Sequence, residues 1–195
     1  SITDDCKLIF PSTHVVYEGV EDTRLDILET EKPCPVLSYS ESKVQTELDL
    51  VESSKNYIVL RLATVCGYST DTMRMNIMPN LFSKIASQRG TIKLFSGGVQ
   101  LKSLVPLLDV VRCMKFMAEN SDISRETFHI SKESMTVKEV SEICKKFNPD
   151  LNIIETDDEI PNLGYTISNE KLLNTGFEFR HNIEECIKEM VQSWS

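Results

Sequence analysis

Two short apolar runs flank a segment with helical spacing, and this arrangement restricts the chain to few folds. Residues 7–13 (KLIFPST) and 57–63 (YIVLRLA) have the composition of buried strands. Between them, Val44, Leu48 and Val51 recur at the spacing of one helix face. A strand, a helix and a second strand in this order predict a parallel α/β sheet.

The predicted helix carries a phenol and an ammonium group near its start. Ser38 followed by Glu41 is the pattern of a capping box, which predicts a helix over residues 39–53. Tyr39 and Lys43 are four residues apart and therefore share one face, and Tyr39 lies in the first turn, where the helix dipole is positive. Both effects favour the phenolate form of Tyr39, which can act as a general acid or base.

The rest of the chain alternates predicted strands and helices, as a parallel α/β fold requires. Strands are predicted at residues 91–95, 127–130 and 151–154, and helices at 75–88, 107–119, 137–147 and 182–193. Thr136 and Glu139 form a second capping-box pattern, at the start of the third of these helices.

Five short motifs lie between residues 10 and 110, and the family resemblance that they carry runs from about Ile9 to Gln192. They are FPSTHVVY at 10–17, PVLSYSESK at 35–43, RLATVCG at 61–67, FSGGVQLK at 95–102 and Asp109-Val110. Taken together they resemble the extended short-chain dehydrogenase/reductase family, which includes nucleotide-sugar epimerases and dehydratases. Cys66 departs from the pattern, because an aromatic residue is usual at that position.

This resemblance implies a partial Rossmann-type parallel sheet with a smaller α/β substrate-binding domain. Residues 1–67 and 107–131 would form the remainder of the NAD(P)-binding Rossmann domain. Residues 68–106 and 132–195 would form the substrate-binding domain.

The resemblance also implies a catalytic trio of Thr13, Tyr39 and Lys43. The Tyr39 phenolate would take a proton from a sugar hydroxyl while hydride passes from the same carbon to the nicotinamide. Lys43 would hold the nicotinamide ribose and stabilise the phenolate, and Thr13 would hydrogen-bond the reacting oxygen. The expected cofactor contacts are Ser12, Tyr39 and Lys43.

The resemblance implies that Asn80, Lys102 and Arg74 bind the nucleotide diphosphate of the substrate. Lys102 stands where the family usually has an arginine, which reads phosphate more directionally. The family's 4,6-dehydratases have an Asp-Glu pair after the catalytic hydroxyl, whereas this chain has His14 and Val15. The expected reaction is therefore that of a 4-epimerase or a related oxidoreductase.

Family members bind NAD or NADP through a Gly-x-x-Gly-x-x-Gly turn, in which the backbone approaches the pyrophosphate. The 7 glycines of this chain contain no such spacing. We therefore expect the chain to be the C-terminal portion of a longer protein, whose preceding roughly 100 residues bind most of the cofactor. The alternative is a short protein that has lost cofactor binding. On its own the chain is expected to be inactive.

Composition disfavours several other classes of protein. The net charge of −9 argues against general nucleic-acid binding, and no apolar run reaches the roughly 18 residues of a membrane span. The histidines are isolated from one another and from cysteine pairs, so no metal site is expected. Irregularly spaced cysteines indicate buried thiols in a reducing, cytoplasmic compartment; those expected to be buried are Cys6, Cys66, Cys113 and Cys144.

Two kinds of function remain open from the sequence. The first is an NAD(P)-dependent nucleotide-sugar epimerase, with a homodimer possible through the helix that carries Tyr39. The second is a binding or regulatory module that keeps the family fold without turnover. The intact trio of Thr13, Tyr39 and Lys43 favours the first.

Overall fold

Strands and helices alternate along the computed structural model, which describes residues 6–71, 73–160 and 163–194. The strands are β1 (Lys7–Thr13), β2 (Arg24–Ile27), β3 (Asn56–Leu62), β4 (Thr64–Cys66), β5 (Thr91–Phe95), β6 (Leu101–Pro106), β7 (Glu126–Ile130), β8 (Glu133–Thr136), β9 (Asn152–Thr156) and β10 (Tyr165–Ile167). The helices are α1 (Ser38–Glu52), α2 (Met78–Ser87), α3 (Leu107–Glu119), α4 (Val137–Phe147), α5 (Glu170–Leu173) and α6 (Ile183–Ser193). This order confirms the predicted α/β class.

A parallel three-stranded sheet, in the order β1-β3-β7, organises the first part of the chain. The register of β1 on β3 runs from Lys7 opposite Asn56 to Thr13 opposite Leu62. Helix α1 forms the crossover between these two strands. Because both strands run the same way, their carboxyl ends meet at one edge of the sheet, where ligands bind in open α/β folds. Thr13 lies at that edge.

Smaller sheets and two hydrophobic cores complete the fold. Strand β6 pairs with β4 in parallel and with β8 in antiparallel, while β5 pairs with β9 and β2 with β10, both in parallel. One core lies around β3, β7 and α3 and includes Leu60 and Met117. The other lies around β5, α4 and α6 and includes Leu94, Val140 and Ile187. The division into two domains stays a prediction.

Helix α1 differs from its prediction in two respects. It already includes Ser38, its N-cap residue is Leu37, and no side chain of the cap bonds to the backbone, so the Ser38–Glu41 capping box is wrong. Of the predicted apolar stripe, only Val44 packs against the core, while Leu48 and Val51 are about half exposed. The inward face is instead polar; its buried side chains are Ser40 and Glu47.

The second capping box is confirmed, because Thr136 and Glu139 exchange both bonds at the start of α4. Helix α2 begins at Met78 rather than at residue 75, because a proline at position 79 is accepted only in a first turn. Cys66, Cys113 and Cys144 are buried as predicted, but Cys6 is exposed. Among the described residues, no helix combines the length and the apolar composition needed to cross a bilayer.

Candidate active site

Tyr39 and Lys43 lie together on the first turns of α1, beside β1. The Lys43 Nζ is 5.8 Å from the centroid of the Tyr39 ring and 4.6 Å from that of Phe10. It also donates a hydrogen bond of 2.8 Å to the carbonyl oxygen of Pro11. The ammonium group thus connects the helix to the strand. Tyr39 is 51% exposed, so a ligand can reach its side chain.

Thr13 ends β1 and begins the short 3₁₀ turn His14–Tyr17. Its Oγ1 accepts a hydrogen bond of 3.2 Å from the backbone N–H of Val15. This bond fixes the side chain in one orientation and leaves its O–H free to donate. Lys43 therefore contacts β1 at Pro11, two residues before Thr13, and Tyr39 lies next to Lys43 on α1.

An open cleft of about 300 Å³ begins at His14, the residue after Thr13, and its described lining does not include Thr13, Tyr39 or Lys43. Its wall comes from the turn after β1, from β4 and β6, from the start of α2 and from β10; the lining residues are His14, Val15, Glu18, Thr64, Ile77, Met78, Gln100, Leu101, Lys102, Gly164 and Tyr165. Gly164 has a φ of +85°, and a Cβ there would stand 2.3 Å from the Leu101 carbonyl oxygen. Only glycine lets the two backbones meet and close the cleft on that side. We call this site the Lys102 cleft.

Lys102 gives the cleft a positive charge. It is half-buried, and burial lowers the pKa of its ammonium group. Among the described residues this ammonium makes no hydrogen bond and no salt bridge. A desolvated cation is stabilised by an anion, and the Glu18 carboxylate in the same wall is bonded to Val36 and Leu37, so the Lys102 ammonium is the group of the cleft that suits an anionic ligand.

Asn80 and Arg74 stand at the entrance to α2 and outside the lining of the cleft. Asn80 is 3% exposed, its Nδ2 donates to the Arg74 carbonyl at 3.1 Å, and its Oδ1 is buried without a partner among the described residues. The Arg74 guanidinium donates from Nε to the side chain of Asn76 at 3.0 Å, at an exposed position. The structure thus brings Asn80 and Arg74 together, but does not place them beside Lys102.

A buried polar network beneath the trio was missed by the sequence reasoning. Ser12 is 3% exposed, and its hydroxyl donates to Glu47 Oε1 at 2.5 Å. Glu47 in turn receives a salt bridge of 2.6 Å from Arg61 Nη2. Arg61 also donates from Nη1 to the hydroxyl of Tyr17 at 2.5 Å. The network connects β1, α1 and β3 and so holds the helix that carries Tyr39 against the sheet.

Glu18 is a second missed residue, and it links the cleft to α1. Its carboxylate accepts backbone N–H bonds from Val36 at 3.0 Å and Leu37 at 2.7 Å, together with the hydroxyl of Ser40. Partial burial raises the pKa of Glu18, but the three hydrogen bonds together lower it by a larger amount. The pKa of Glu18 therefore lies below its ordinary 4.5. The start of α1 is therefore held by a carboxylate about twenty residues upstream, and no local pattern shows this.

Comparisons with known proteins come to the same fold. Residues 2–131 match the model of the NAD dependent epimerase/dehydratase family. The UDP-glucose 4-epimerase of Thermotoga maritima, solved with UDP-glucose, is 25% identical, with 95% of this chain and 62% of that chain covered and a TM-score of 0.83. The UDP-glucose 4-epimerase of Thermus thermophilus, in complex with NAD, is 18% identical over 96% of this chain and 62% of its own, with a TM-score of 0.77.

The UDP-glucuronic acid 4-epimerase of Bacillus cereus, solved with UDP-glucuronic acid and NAD, is 16% identical, covers 97% of this chain and 62% of its own, and has a TM-score of 0.79. The chain therefore spans about three fifths of the length of these structures. Because the second and third structures are less than 25% identical to this chain, they support the fold alone.

Proposed function

The chain belongs to the NAD-dependent epimerase/dehydratase family, and from this premise we propose that it supplies the catalytic side chains of a nucleotide-sugar 4-epimerase or a closely related oxidoreductase. The observation that carries the proposal is the placement of Tyr39 and Lys43 on α1, with Lys43 bonded to β1 two residues before Thr13. An exposed phenol, a cation and a buried hydroxyl at the edge of a parallel sheet can together take a proton from a sugar hydroxyl.

Each member of the trio has its own proposed role. Tyr39 acts as the base that accepts the proton of the sugar hydroxyl, and returns a proton when the hydroxyl is formed again. Lys43, fixed by the Pro11 carbonyl, stabilises the phenolate and binds the ribose hydroxyls of the cofactor. Thr13 donates its hydroxyl to the reacting oxygen, because the bond it accepts from the Val15 N–H orients the side chain and leaves the O–H free.

The cofactor would be NAD or NADP, which supplies the hydride acceptor. The side chains beside β1 fit its ribose, since an exposed phenol and an ammonium group offer donors and an acceptor. No Gly-x-x-Gly-x-x-Gly turn in the chain fits its pyrophosphate. We propose that a preceding segment of the longer protein provides that turn. Ser12 would contribute through its backbone, because its hydroxyl is engaged by Glu47.

The substrate would be a nucleotide sugar bound in the Lys102 cleft. The Lys102 ammonium would pair with the diphosphate, as its desolvation favours. Asn80 and Arg74 would turn toward the same diphosphate from the start of α2. Arg74 is bonded to an exposed amide, which a phosphate can replace at low cost, whereas Asn80 is 3% exposed and would have to exchange its bond to the Arg74 carbonyl. We further propose a cytoplasmic protein that forms homodimers through α1, where Leu48 and Val51 are exposed.

The test uses the longer protein that contains this chain, supplied with NAD and with UDP-glucose or dTDP-glucose. We expect conversion to the 4-epimer, which chromatography of the nucleotide sugars measures. Tyr39→Phe should lower kcat by about 10²- to 10⁴-fold but weaken NAD binding far less, because proton transfer is lost while Lys43 still holds the ribose. Tyr68→Phe is the matched control, since Tyr68 packs on Trp194 away from the trio.

A fully active Tyr39→Phe variant would refute the assignment. A wild-type protein that binds NAD and a nucleotide sugar without turning over any candidate would favour the alternative, a binding or regulatory module that keeps the family fold. Two departures from the family pattern favour this alternative: Lys102 replaces the usual arginine, and Cys66 replaces the usual aromatic residue.

A further inference from the structure

His14 lies directly after Thr13 and lines the Lys102 cleft, and none of the roles described so far involves it. Three contacts fix its position. The hydroxyl of Tyr165 donates to the His14 carbonyl at 3.0 Å, and the two rings pack with centroids 5.6 Å apart. On the other side, the Nε2 of His14 lies 3.4 Å from the hydroxyl of Thr64. The imidazole therefore has a fixed place in the cleft wall.

One ring nitrogen of His14 lacks a hydrogen bond. Its Nδ1 is buried and has no partner within the described part of the chain. Burial and the nearby charge of Lys102 lower the pKa of His14 to about 4, and the half-buried carboxylate of Glu18 is the other ionised group in the cleft wall. The ring is thus neutral at physiological pH and offers one N–H donor and one acceptor.

We propose that His14 binds the sugar hydroxyl on the carbon next to the oxidised one and thereby selects the sugar that the site accepts. This inference depends on the proposed function. Thr13 directly precedes His14 in the chain, and His14 forms part of the wall of the cleft in which we place the sugar. A neutral imidazole suits a hydroxyl group, which both donates and accepts, whereas Lys102 suits the anionic part of the substrate.

The test is a thermodynamic cycle between the protein and the ligand. In the longer protein loaded with NAD, titration calorimetry measures the Kd of UDP-glucose and of its 3-deoxy analogue for wild type and for His14→Leu. Loss of the hydroxyl should weaken binding to wild type about tenfold, and loss of the imidazole should weaken UDP-glucose binding by the same factor. The variant should bind both ligands equally well, because the second change removes nothing further.

Two further variants keep the cycle interpretable if His14→Leu folds poorly. His14→Asn retains a polar group near Nδ1 and should restore most of the discrimination between the two ligands. His181→Leu, the matched control, removes a histidine that lines a different cavity and should leave both Kd values unchanged. In NMR spectra of ¹⁵N-labelled histidines, UDP-glucose but not UDP should shift the His14 Nδ1 signal.

Additive effects of the two changes, or retained discrimination in His14→Leu, would overturn the role of His14 and leave the proposed function standing. Failure of the wild-type protein to bind any UDP-sugar would overturn both.

Discussion

At the scale of single residues, Arg61 and Glu47 form a buried salt bridge on which the stability of the fold depends. Both side chains are 7% exposed, and the Nε and Nη2 of Arg61 bond to both carboxylate oxygens at 2.6–3.2 Å. Burial alone would lower the pKa of Arg61, but the bonds and charge of Glu47 raise it above its ordinary value. Removal of one partner would leave the other as an uncompensated buried charge.

We expect Arg61→Met to lower the free energy of unfolding by about 3–5 kcal/mol, measured by urea denaturation. The double variant Arg61→Met with Glu47→Leu should regain part of that loss, because no lone charge stays buried. Lys115→Met is the control, since Lys115 and Glu119 form an exposed pair at 3.7 Å whose loss should cost at most about 1 kcal/mol. Equal losses for both single variants would contradict this account.

The sequence contained a signal for this pair that was not used. Arg61 interrupts the apolar run YIVLRLA, and a cation inside a buried strand needs a partner. The identity of the partner could not be predicted, because Glu47 looks like any solvent-facing helix residue until the crossing of α1 over β3 is known. Thr13, Tyr39 and Lys43 could be chosen from their motifs, whereas their contacts required the structure.

At the scale of elements, two identical capping patterns gave opposite results. Thr136 and Glu139 cap α4 as predicted, because both bonds of the box are local. Ser38 and Glu41 do not cap α1, because the helix begins one residue earlier: the N–H of Glu41 already donates to the Leu37 carbonyl, and the Glu18 carboxylate holds the N–H groups of Val36 and Leu37. A short-range pattern predicts a short-range contact well and carries no information about a competing group far along the chain.

Glu18→Gln should lower the free energy of unfolding at pH 7 by about 1 kcal/mol, as loss of a helix cap does. Because the folded pKa of Glu18 lies below its ordinary 4.5, this stabilisation is complete above that pH and is lost as the pH falls through the folded pKa. Wild type and variant should therefore become equally stable in strong acid. Urea denaturation at a series of pH values measures the difference.

Glu41→Gln is the control for that experiment. Glu41 is exposed in the first turn of α1 and should contribute only a few tenths of a kcal/mol through the helix dipole. If the two variants lost the same stability at every pH, the capping role of Glu18 would be wrong.

At the scale of the whole molecule, β1 has a neighbour on one side, because among the described strands it pairs only with β3. Parallel strands are commonly paired on both sides and covered by helices on both faces. The parallel α/β class and the order of most elements could be predicted from the alternation of apolar runs. The position of the glycine-rich turn that we propose for a preceding segment could not be predicted, because no residue of the printed sequence carries it.

We expect the isolated chain to bind NAD with a Kd weaker than micromolar, since no glycine-rich turn is present to hold the pyrophosphate. The longer protein should bind NAD at least about tenfold more tightly, and titration calorimetry on both proteins measures the difference. Hydrogen exchange of the β1 amides should also slow in the longer protein. Micromolar or tighter binding by the isolated chain would contradict the proposal.

The contact between Tyr165 and His14 joins positions 151 residues apart in sequence. During synthesis, Thr13 and His14 leave the ribosome well before the phenol that closes the cleft wall. At roughly 5–20 residues per second, a nascent chain would carry these groups for on the order of ten seconds before it could complete the cleft. The wall of the cleft would therefore be complete only after the strand that bears Tyr165 has been synthesised.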